Sequence, residues 1–265
     1  MDFPFLWKWA LFFLLPGAFL QATLVGNPGQ PGLQNAGIIR ESPSEWSFRL
    51  SYFGDYVYSE SFHDEFKIRD CVQTSSKIQL WTQAGMLTFN VRERLDLYAI
   101  CGGSRIEIDQ DIYTNQQLAW GVGGKLVIVH EERFRLGLDV KYFTSNQKPL
   151  YFICDHLPYN IVSDFCFNYQ EIQAGMGVSY RWKYISPYLN ATYLITKIEP
   201  QPLITLVRLP DENFSVDVIS KSVVGTHRWG LALGATLIDN RKATLAVEWR
   251  AFNQNAVNLN GEIRF

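Results

Sequence analysis

The sequence is poor in charge, in histidine and cysteine, and, beyond its first twenty or so residues, in long apolar runs. Charged residues make up 19% of the 265 positions, and the net charge is −2. Lys and Arg are scattered singly, which excludes the electrostatic footprint of a nucleic-acid-binding protein. No C-x-x-C motif and no His pair at helical spacing occurs, so we expect neither a metal site nor a cofactor. After Thr23 no apolar run is long enough for a membrane-spanning helix.

The N-terminal segment predicts export. Residues 1–22, MDFPFLWKWALFFLLPGAFLQA, combine one base, Lys8, with an apolar stretch that runs from Ala10 to Leu20 and a small residue at Ala22. This is the layout of a secretory signal peptide. Because the apolar stretch is shorter than the ~20 residues of a spanning helix, it favours cleavage over anchoring. We therefore expect residues 1–22 to be removed.

From residue 46 onwards, apolar residues recur at every second position. In 46–58, for example, Trp46 and Phe48 alternate with Ser47 and Arg49. A period of two is typical of β-strands whose two faces meet different environments. Ten segments show it: 46–58, 77–91, 93–108, 114–130, 133–146, 168–182, 185–198, 222–238, 241–252 and 255–265. The pattern is weakest in 77–91, where the apolar parity switches between Leu80 and Leu87.

The length of these segments indicates a membrane barrel. Strands of globular proteins usually have about 5–6 residues, whereas a strand that crosses a bilayer at a tilt needs ~9–11. Such strands must close into a barrel, since an unpaired edge in lipid is costly. The prediction is an all-β, antiparallel transmembrane β-barrel of about ten strands, with a range of eight to twelve, over residues 46–265. We expect outer-membrane lipid around it, and Phe265 as the signal read by the barrel assembly machinery.

The connections between the segments alternate in length. Connections 59–76, 147–167 and 199–221 are long, whereas VRER, HEER, RWKYI and IDNR are short. Outer-membrane barrels have short periplasmic turns and longer external loops. Both termini are therefore expected in the periplasm, with residues 23–45 as an N-terminal periplasmic segment. The short FNQN turn is an exception, because the strand count places it on the external side, where the other connections are longer. Three prolines, Pro200, Pro202 and Pro210, argue against further strands in the fourth loop.

The two faces of the predicted strands differ in polarity. One face is apolar, with aromatic residues near strand ends, as in membrane girdles: Trp46, Trp182, Tyr184, Trp229 and Trp249. The other face carries the charges predicted to line the pore: Arg49, Asp55, Arg94, Asp96, Lys125, Arg135, Asp139, Lys141, Glu171, Arg181, Arg228, Lys242, Glu248, Arg250, Glu262 and Arg264. Bases exceed acids in this set, which predicts a water-filled channel with a weak preference for anions. The alternative is that these charges pair across a filled interior.

Four cysteines fit an oxidising compartment. Cys154 and Cys166 lie twelve positions apart in one irregular segment and are the first pair we expect to form a disulfide. Cys71 and Cys101 would form the second. Free thiols are the alternative.

Several stretches resemble, in the same order, the chlamydial major outer membrane protein family of disulfide-rich porins. They are GNPGQPGL, FRLSYFGDYVY, FNVRERLDLYAICGG, LAWGVGGKLVIV, YQEIQAGMGVSYRWKYISPYLNATYL and LIDNRKATLAVEWRAFNQNAVNLNGEIRF. The resemblance implies a surface-exposed outer-membrane porin of a chlamydia-like bacterium that passes small solutes or ions. This chain is shorter and has fewer cysteines than the principal members. The shorter length predicts fewer strands and a narrower lumen than in those members, and the smaller number of cysteines leaves the intermolecular disulfide network open. A homo-oligomer also stays open.

Two rival functions compete with a porin. A rim enzyme, a protease or lipase, would use loop groups such as residues 63–65 or Asp155, His156 and Ser163. Neighbouring loop residues point apart, however, and we expect no enzyme. A non-conducting surface barrel would act as an adhesin or a structural protein through loops 147–167 and 199–221.

Overall fold

The structure is a computed structural model, and it describes the chain in twelve stretches. These are residues 26–33, 45–62, 67–68, 71–72, 77–109, 112–154, 157–161, 166–201, 204–208, 213–219, 222–239 and 242–265. The predicted signal peptide lies outside the described residues.

Ten long antiparallel strands form the wall of the molecule. They are β1 (Trp46–Ser61), β2 (Lys77–Val91), β3 (Leu95–Ile108), β4 (Gln117–His130), β5 (Phe134–Gln147), β6 (Cys166–Tyr180), β7 (Ile185–Gln201), β8 (Trp229–Asp239), β9 (Ala243–Ala251) and β10 (Asn255–Arg264). Each strand pairs with the next along the chain.

The last strand closes the sheet against the first. β10 pairs with β1 from Arg264 opposite Arg49 to Asn255 opposite Ser59. The Phe265 backbone N–H donates to the Phe48 carbonyl at 3.0 Å. The predicted closed barrel of ten antiparallel strands is thereby confirmed, and the role of Phe265 in assembly stays a prediction.

Three short connections whose residues are all described, VRER, HEER and RWKYI, are tight hairpin turns. In VRER, Arg92 and Glu93 have φ of 52° and 57°. The Arg94 N–H donates to the Val91 carbonyl at 3.1 Å. Two consecutive left-handed residues are the mark of a type I′ turn, whose twist matches that of the flanking strands. We call the end of the barrel with these turns the turn end and the opposite end the loop end.

Shorter strands continue the wall at the loop end. They are Lys67–Ile68, Cys71–Val72, Ile112–Thr114, Pro149–Cys154, Leu157–Ile161, Ile204–Arg208, Asn213–Ile219 and Val223–Val224. Within 147–167, Pro149–Cys154 pairs with both Ile112–Thr114 and Leu157–Ile161. The described part of this loop therefore extends the wall.

One expectation about the fourth loop was wrong. Ile204–Arg208 and Asn213–Ile219 form a hairpin inside 199–221, although the prolines argued against strands there. Pro200 lies at the end of β7, opposite Phe167. In sequence, Ile204–Arg208 lies between Pro202 and Pro210, and Asn213–Ile219 follows Pro210. Proline is tolerated at strand ends, so these prolines limit the strands without excluding them.

On β2 and β3, the outer and inner faces exchange polarity between the turn end and the loop end. Near the turn end, β2 exposes Leu87, which is 54% accessible. Near the loop end, Leu80 is buried inside while Gln79 faces outward. On β3, likewise, Ile106 is buried and Arg105 is exposed. The parity switch noticed in segment 77–91 is this exchange: the strands leave an apolar surrounding and enter a polar one.

The N-terminal segment lies inside the barrel. Among the described residues its single 3₁₀ turn, Gln30–Gly32, is the only helical element. No helix in these stretches is long and apolar enough to cross a membrane. Residues 26–33 were expected in a periplasmic segment, but they hydrogen-bond to the inner wall. We call residues 26–33 the plug.

Candidate functional site: the closed interior of the barrel

Near the turn end, three strands contribute one buried charge cluster. Arg49 of β1 forms ion pairs with Asp96 of β3 and with Glu262 of β10, the latter at 2.8 Å. The Asn90 side-chain amide donates to Asp96 at 2.6 Å. Alternation along each strand brings these side chains to the inner face. Because all three charged groups are at most 3% exposed, their pairing is required to offset desolvation.

A second charge cluster fills the middle of the barrel. Arg250 pairs with Asp55 at 2.8 Å and lies 3.8 Å from Glu248. Lys141 pairs with Glu171 at 2.6 Å. These five side chains are at most 1% exposed. The interior at this level is therefore a packed ionic network.

The first half of the plug binds the wall through its backbone and one amide. The Gly26 N–H donates to Glu248 at 2.9 Å, and its carbonyl accepts from Asn190 at 2.8 Å. The Asn27 side-chain amide donates to the Thr236 hydroxyl at 3.1 Å. Gly26 and Asn27 are thereby anchored to residues of three different strands of the wall.

The second half of the plug is held at the turn end. The Gln30 side-chain amide donates to Thr244 at 3.1 Å and to Glu262 at 2.8 Å. The Pro31 carbonyl accepts from Asn90 at 3.1 Å. Leu33 is 0% exposed. The plug therefore shares Glu262 and Asn90 with the turn-end charge cluster.

A small cavity separates the plug from the wall. Its volume is about 10 Å³, and it lies between Gly26, Asn27 and Gln30 on one side and residues such as Tyr98 and Lys125 on the other. That volume holds about one water molecule. Its lining mixes apolar side chains such as Met86 and Ala246 with polar ones such as Asn27 and Lys125.

Near the loop end the interior holds a cluster of buried apolar side chains, packed beside buried polar ones such as Glu60, Thr114 and Gln147. The apolar side chains, which we call the apolar layer, are Val57, Phe62, Ile78, Leu80, Ile106, Ile108, Ile112, Ala119, Phe143, Phe167, Tyr169, Ile198, Val223 and Ala256. They come from strands all around the barrel, and each is at most 8% exposed. The FNQN turn also contributes here, because Asn253 enters the barrel and donates to Thr192 at 3.1 Å.

Most of the side chains predicted to line a pore are indeed buried in the interior. Twelve of the sixteen are at most 4% exposed: Arg49, Asp55, Asp96, Lys125, Arg135, Asp139, Lys141, Glu171, Glu248, Arg250, Glu262 and Arg264. Arg94 and Arg228 are exposed at strand ends, and Arg181 and Lys242 are partly exposed. Whether any of them lines a conducting path stays a prediction.

The buried charges are close to balance. Six bases, Arg49, Lys125, Arg135, Lys141, Arg250 and Arg264, accompany seven acids, Asp55, Glu60, Asp96, Asp139, Glu171, Glu248 and Glu262. Sequence reasoning omitted Glu60, which follows an irregularity in the β1 pairing between Val57 and Glu60. The basic excess counted from the sequence is therefore not found among the buried side chains.

The remaining candidate residues are settled only in part. Cys101 is an exposed thiol and Cys166 a half-buried one. The side chains of Cys71 and Cys154 lie outside the described residues, so both disulfides stay predictions. The loop groups considered for catalysis, residues 63–65, 155–156 and 163, also lie outside them.

The sequence is similar to curated outer membrane porins. It is 20% identical to the major outer membrane porin, serovar B, of Chlamydia trachomatis, over 93% of this chain and 95% of the relative. It is 22% identical to the major outer membrane porin of Chlamydia abortus, over 97% and 99%. No protein-family model matches the chain.

Solved outer-membrane barrels give weaker similarities. The outer membrane protease OmpT of Escherichia coli aligns with a TM-score of 0.42 and 11% identity, over 82% of this chain and 94% of that one. The translocator domain of the autotransporter NalP of Neisseria meningitidis aligns with a TM-score of 0.43 and 11% identity, over 84% and 88%. These scores are too low to distinguish among functions.

The closed barrel with its apolar outer belt defines the class: a multi-pass β-barrel of the outer membrane. Its curated homologues are the major outer membrane porins of Chlamydia.

Proposed function

We propose that the protein is an outer-membrane porin whose diffusion path is closed at rest by two barriers in series. The first barrier is the plug, and the second is the apolar layer. Small hydrophilic solutes or ions cross only when the plug leaves the barrel and the apolar layer separates. Both termini and the turn end face the periplasm in this proposal.

The hydrogen bonds between the plug and the inner wall carry this proposal. They use one glutamine, one asparagine and the backbone, with Leu33 as the single large apolar side chain of GNPGQPGL. Water can replace each of these bonds at a modest net cost, about 1 kcal/mol for a neutral bond and about 1.5–3 kcal/mol for the two bonds to Glu248 and Glu262. A segment that is held in this way can leave the barrel without unfolding the wall.

The apolar layer would act by excluding water. Hydrophobic constrictions close channels by dewetting, even where the backbone leaves room. Phe143 and Phe167 face inward on the neighbouring strands β5 and β6, and both are 0% exposed. Phe62 is the third phenylalanine of the layer, but it is 8% exposed, so Phe143 and Phe167 are the ones to change first.

The test compares three barrels in planar bilayers. They are the chain from residue 23, the same chain without residues 26–33, and that shortened chain with Phe143→Ser and Phe167→Ser. A matched control carries Val140→Ser and Ile172→Ser, which change outward side chains of the same two strands. Retention of the barrel is checked by its resistance to heat in detergent.

We expect rare openings from the first barrel, more frequent openings from the second and stable ohmic steps from the third. The control substitutions should leave the conductance of the shortened chain unchanged. Stable steps from the complete chain would contradict closure at rest. Silence of all three folded barrels would contradict a channel and favour the non-conducting surface barrel, which the close packing of the apolar layer also supports.

The weak anion preference is a separate part of the proposal. It rests on the turn-end mouth, where Arg94, Arg181 and Lys242 are exposed or partly exposed and Arg135 is buried beside them. Fixed bases at a mouth raise the local concentration of anions. Arg135→Glu with Arg181→Glu should shift the reversal potential of the opened barrel towards cations, and an unchanged potential would contradict the preference.

A further inference from the structure

The outer surface carries a continuous ladder of aromatic rings that ends in an arginine. The Trp249 indole N–H donates to the Tyr58 hydroxyl at 3.3 Å, and the Tyr58 ring lies 5.8 Å from Tyr56. Tyr56 lies 5.1 Å from Trp81. The Arg105 guanidinium lies 4.6 Å above the Trp81 ring. We call these five residues the ring ladder.

Strand register places most of the ladder in one row across the wall. Trp249 lies opposite Val257, Val257 opposite Tyr56, Tyr56 opposite Trp81 and Trp81 opposite Arg105. The row therefore crosses five neighbouring strands at right angles to their direction. Such a row forms one surface rather than scattered side chains.

The ladder lies where the outer surface changes from apolar to polar. Towards the turn end on β2, the outward side chain Leu87 is 54% exposed. Towards the loop end, the outward positions are Gln79 and Lys77. A lipid whose acyl chains cover the apolar belt would therefore place its headgroup at this row. Amphipathic rings prefer that interface.

The chemistry of the row fits a sugar phosphate. Exposed ring faces stack on the apolar faces of sugars, and an arginine fork binds phosphate oxygens in pairs. Next to it, Tyr113 and Tyr151 stack at 4.9 Å, and Tyr113 lies opposite Glu107. These side chains add a second set of partly exposed rings with a carboxylate that can accept sugar hydroxyls.

We propose that the ring ladder is a binding site for the phosphorylated sugar headgroup of an outer-leaflet glycolipid. The acyl chains lie along the belt below it, and Arg105 holds the phosphate. The site is independent of conduction, but it takes the loop end to face outward. A phospholipid such as phosphatidylglycerol could make the phosphate contact with Arg105, but it has no sugar for the rings to contact.

The test measures lipid binding by native mass spectrometry of the refolded complete chain in detergent. The probes are a bisphosphorylated diglucosamine lipid, phosphatidylglycerol and inorganic pyrophosphate. The variants are Arg105→Gln, Trp81→Leu and Glu107→Gln. The control is Arg92→Gln at the turn end, whose side chain is 71% exposed.

We expect the glycolipid to bind at least tenfold more tightly than phosphatidylglycerol and pyrophosphate. Arg105→Gln and Trp81→Leu should each weaken it about tenfold, while Arg92→Gln leaves it unchanged. Glu107→Gln should weaken it a few-fold, because an amide oxygen accepts sugar hydroxyls less strongly than the carboxylate it replaces. Equal binding of both lipids, or unaltered binding by Arg105→Gln and Trp81→Leu, would overturn the site.

Discussion

The two ends of the barrel interior are built from opposite kinds of side chain. At the turn end, charged groups such as Arg49, Asp96 and Glu262 pair with one another and with the plug. At the loop end, side chains such as Ile106 and Phe167 pack into the apolar layer. On β2 and β3 the outer surface shows the reverse order, with apolar side chains around the charged end and polar side chains such as Gln79 and Arg105 around the apolar end.

The difference follows from what surrounds each end. Where lipid covers the wall, outward positions must be apolar, and alternation then leaves polar residues inside. Where water covers the wall, the strands behave as in a soluble barrel and bury their apolar face. The same strands thus pass from lipid into water. Paired charges hold the interior of the lipid-covered half, and apolar packing holds the interior of the water-covered half.

The largest test of this contrast removes the central base of the charged interior. Arg250→Met leaves Asp55 buried without its partner, so we expect a loss of about 3–5 kcal/mol in the free energy of unfolding, measured by urea titration. Adding Asp55→Leu should restore most of it. Arg92→Met, whose ion pair with Glu45 is exposed, should cost less than about 1 kcal/mol. Equal losses for Arg250→Met and Arg92→Met would show that the pairing does not hold this end.

A second substitution tests the apolar end. Ile106→Ala removes a side chain that is 1% exposed, and we expect it to cost about 3 kcal/mol because a cavity remains in packed surroundings. Glu107→Ala, on the outer face of the same strand, should change stability by less than about 0.5 kcal/mol. If both cost the same in urea unfolding, the inner face at this end is not a packed core.

A third pair of substitutions tests where, along β2, the surroundings of the outer face change from lipid to water. Leu87→Arg places a charge in the belt and should cost about 2–3 kcal/mol in vesicles. Gln79→Arg, eight positions away on the same outward face, should cost about 0.5 kcal/mol or less. Comparable losses in folding equilibria would mean that lipid covers both positions.

The smallest effect concerns the plug. Gln30→Ala removes the amide bonds to Thr244 and Glu262, and we expect a loss of about 2 kcal/mol. Channel openings should become more frequent in the same variant. Gln83→Ala, which changes an exposed outward amide, should alter neither quantity. An opening rate in Gln30→Ala equal to that of the unaltered chain would contradict the anchoring role of Gln30.

Much of the wall could be predicted from sequence, because alternation is a local property. Side chains such as Asp96 and Leu97 are neighbours in sequence and lie on opposite faces, as their spacing requires. Alternation separates two faces, however, without saying which solvent each one meets. The sequence therefore showed that apolar residues change from even to odd positions between Leu80 and Leu87. It did not show that the apolar side chains change there from the inner to the outer face of the barrel.

The plug could not be predicted, because its structure depends on distant partners. GNPGQPGL has no periodicity, and the Gly26–Glu248 bond joins residues 222 positions apart. Its glycines, prolines and amides fit a periplasmic linker equally well. Its inclusion among the stretches that resemble a porin family was the one available signal.

The most direct test of the account asks whether residues 26–33 lie inside the barrel. A Cβ at Gly29 would overlap the Ser179 hydroxyl, so Gly29→Cys with Ser179→Cys places two thiols within disulfide reach. The native cysteines are replaced by serine, and the cross-link is measured by mass spectrometry after oxidation in membranes. The control, Gly29→Cys with Val178→Cys, uses the adjacent residue that faces lipid. A plugged barrel predicts a cross-link at position 179 in most molecules and little at 178, whereas equal or absent cross-linking at both would contradict it.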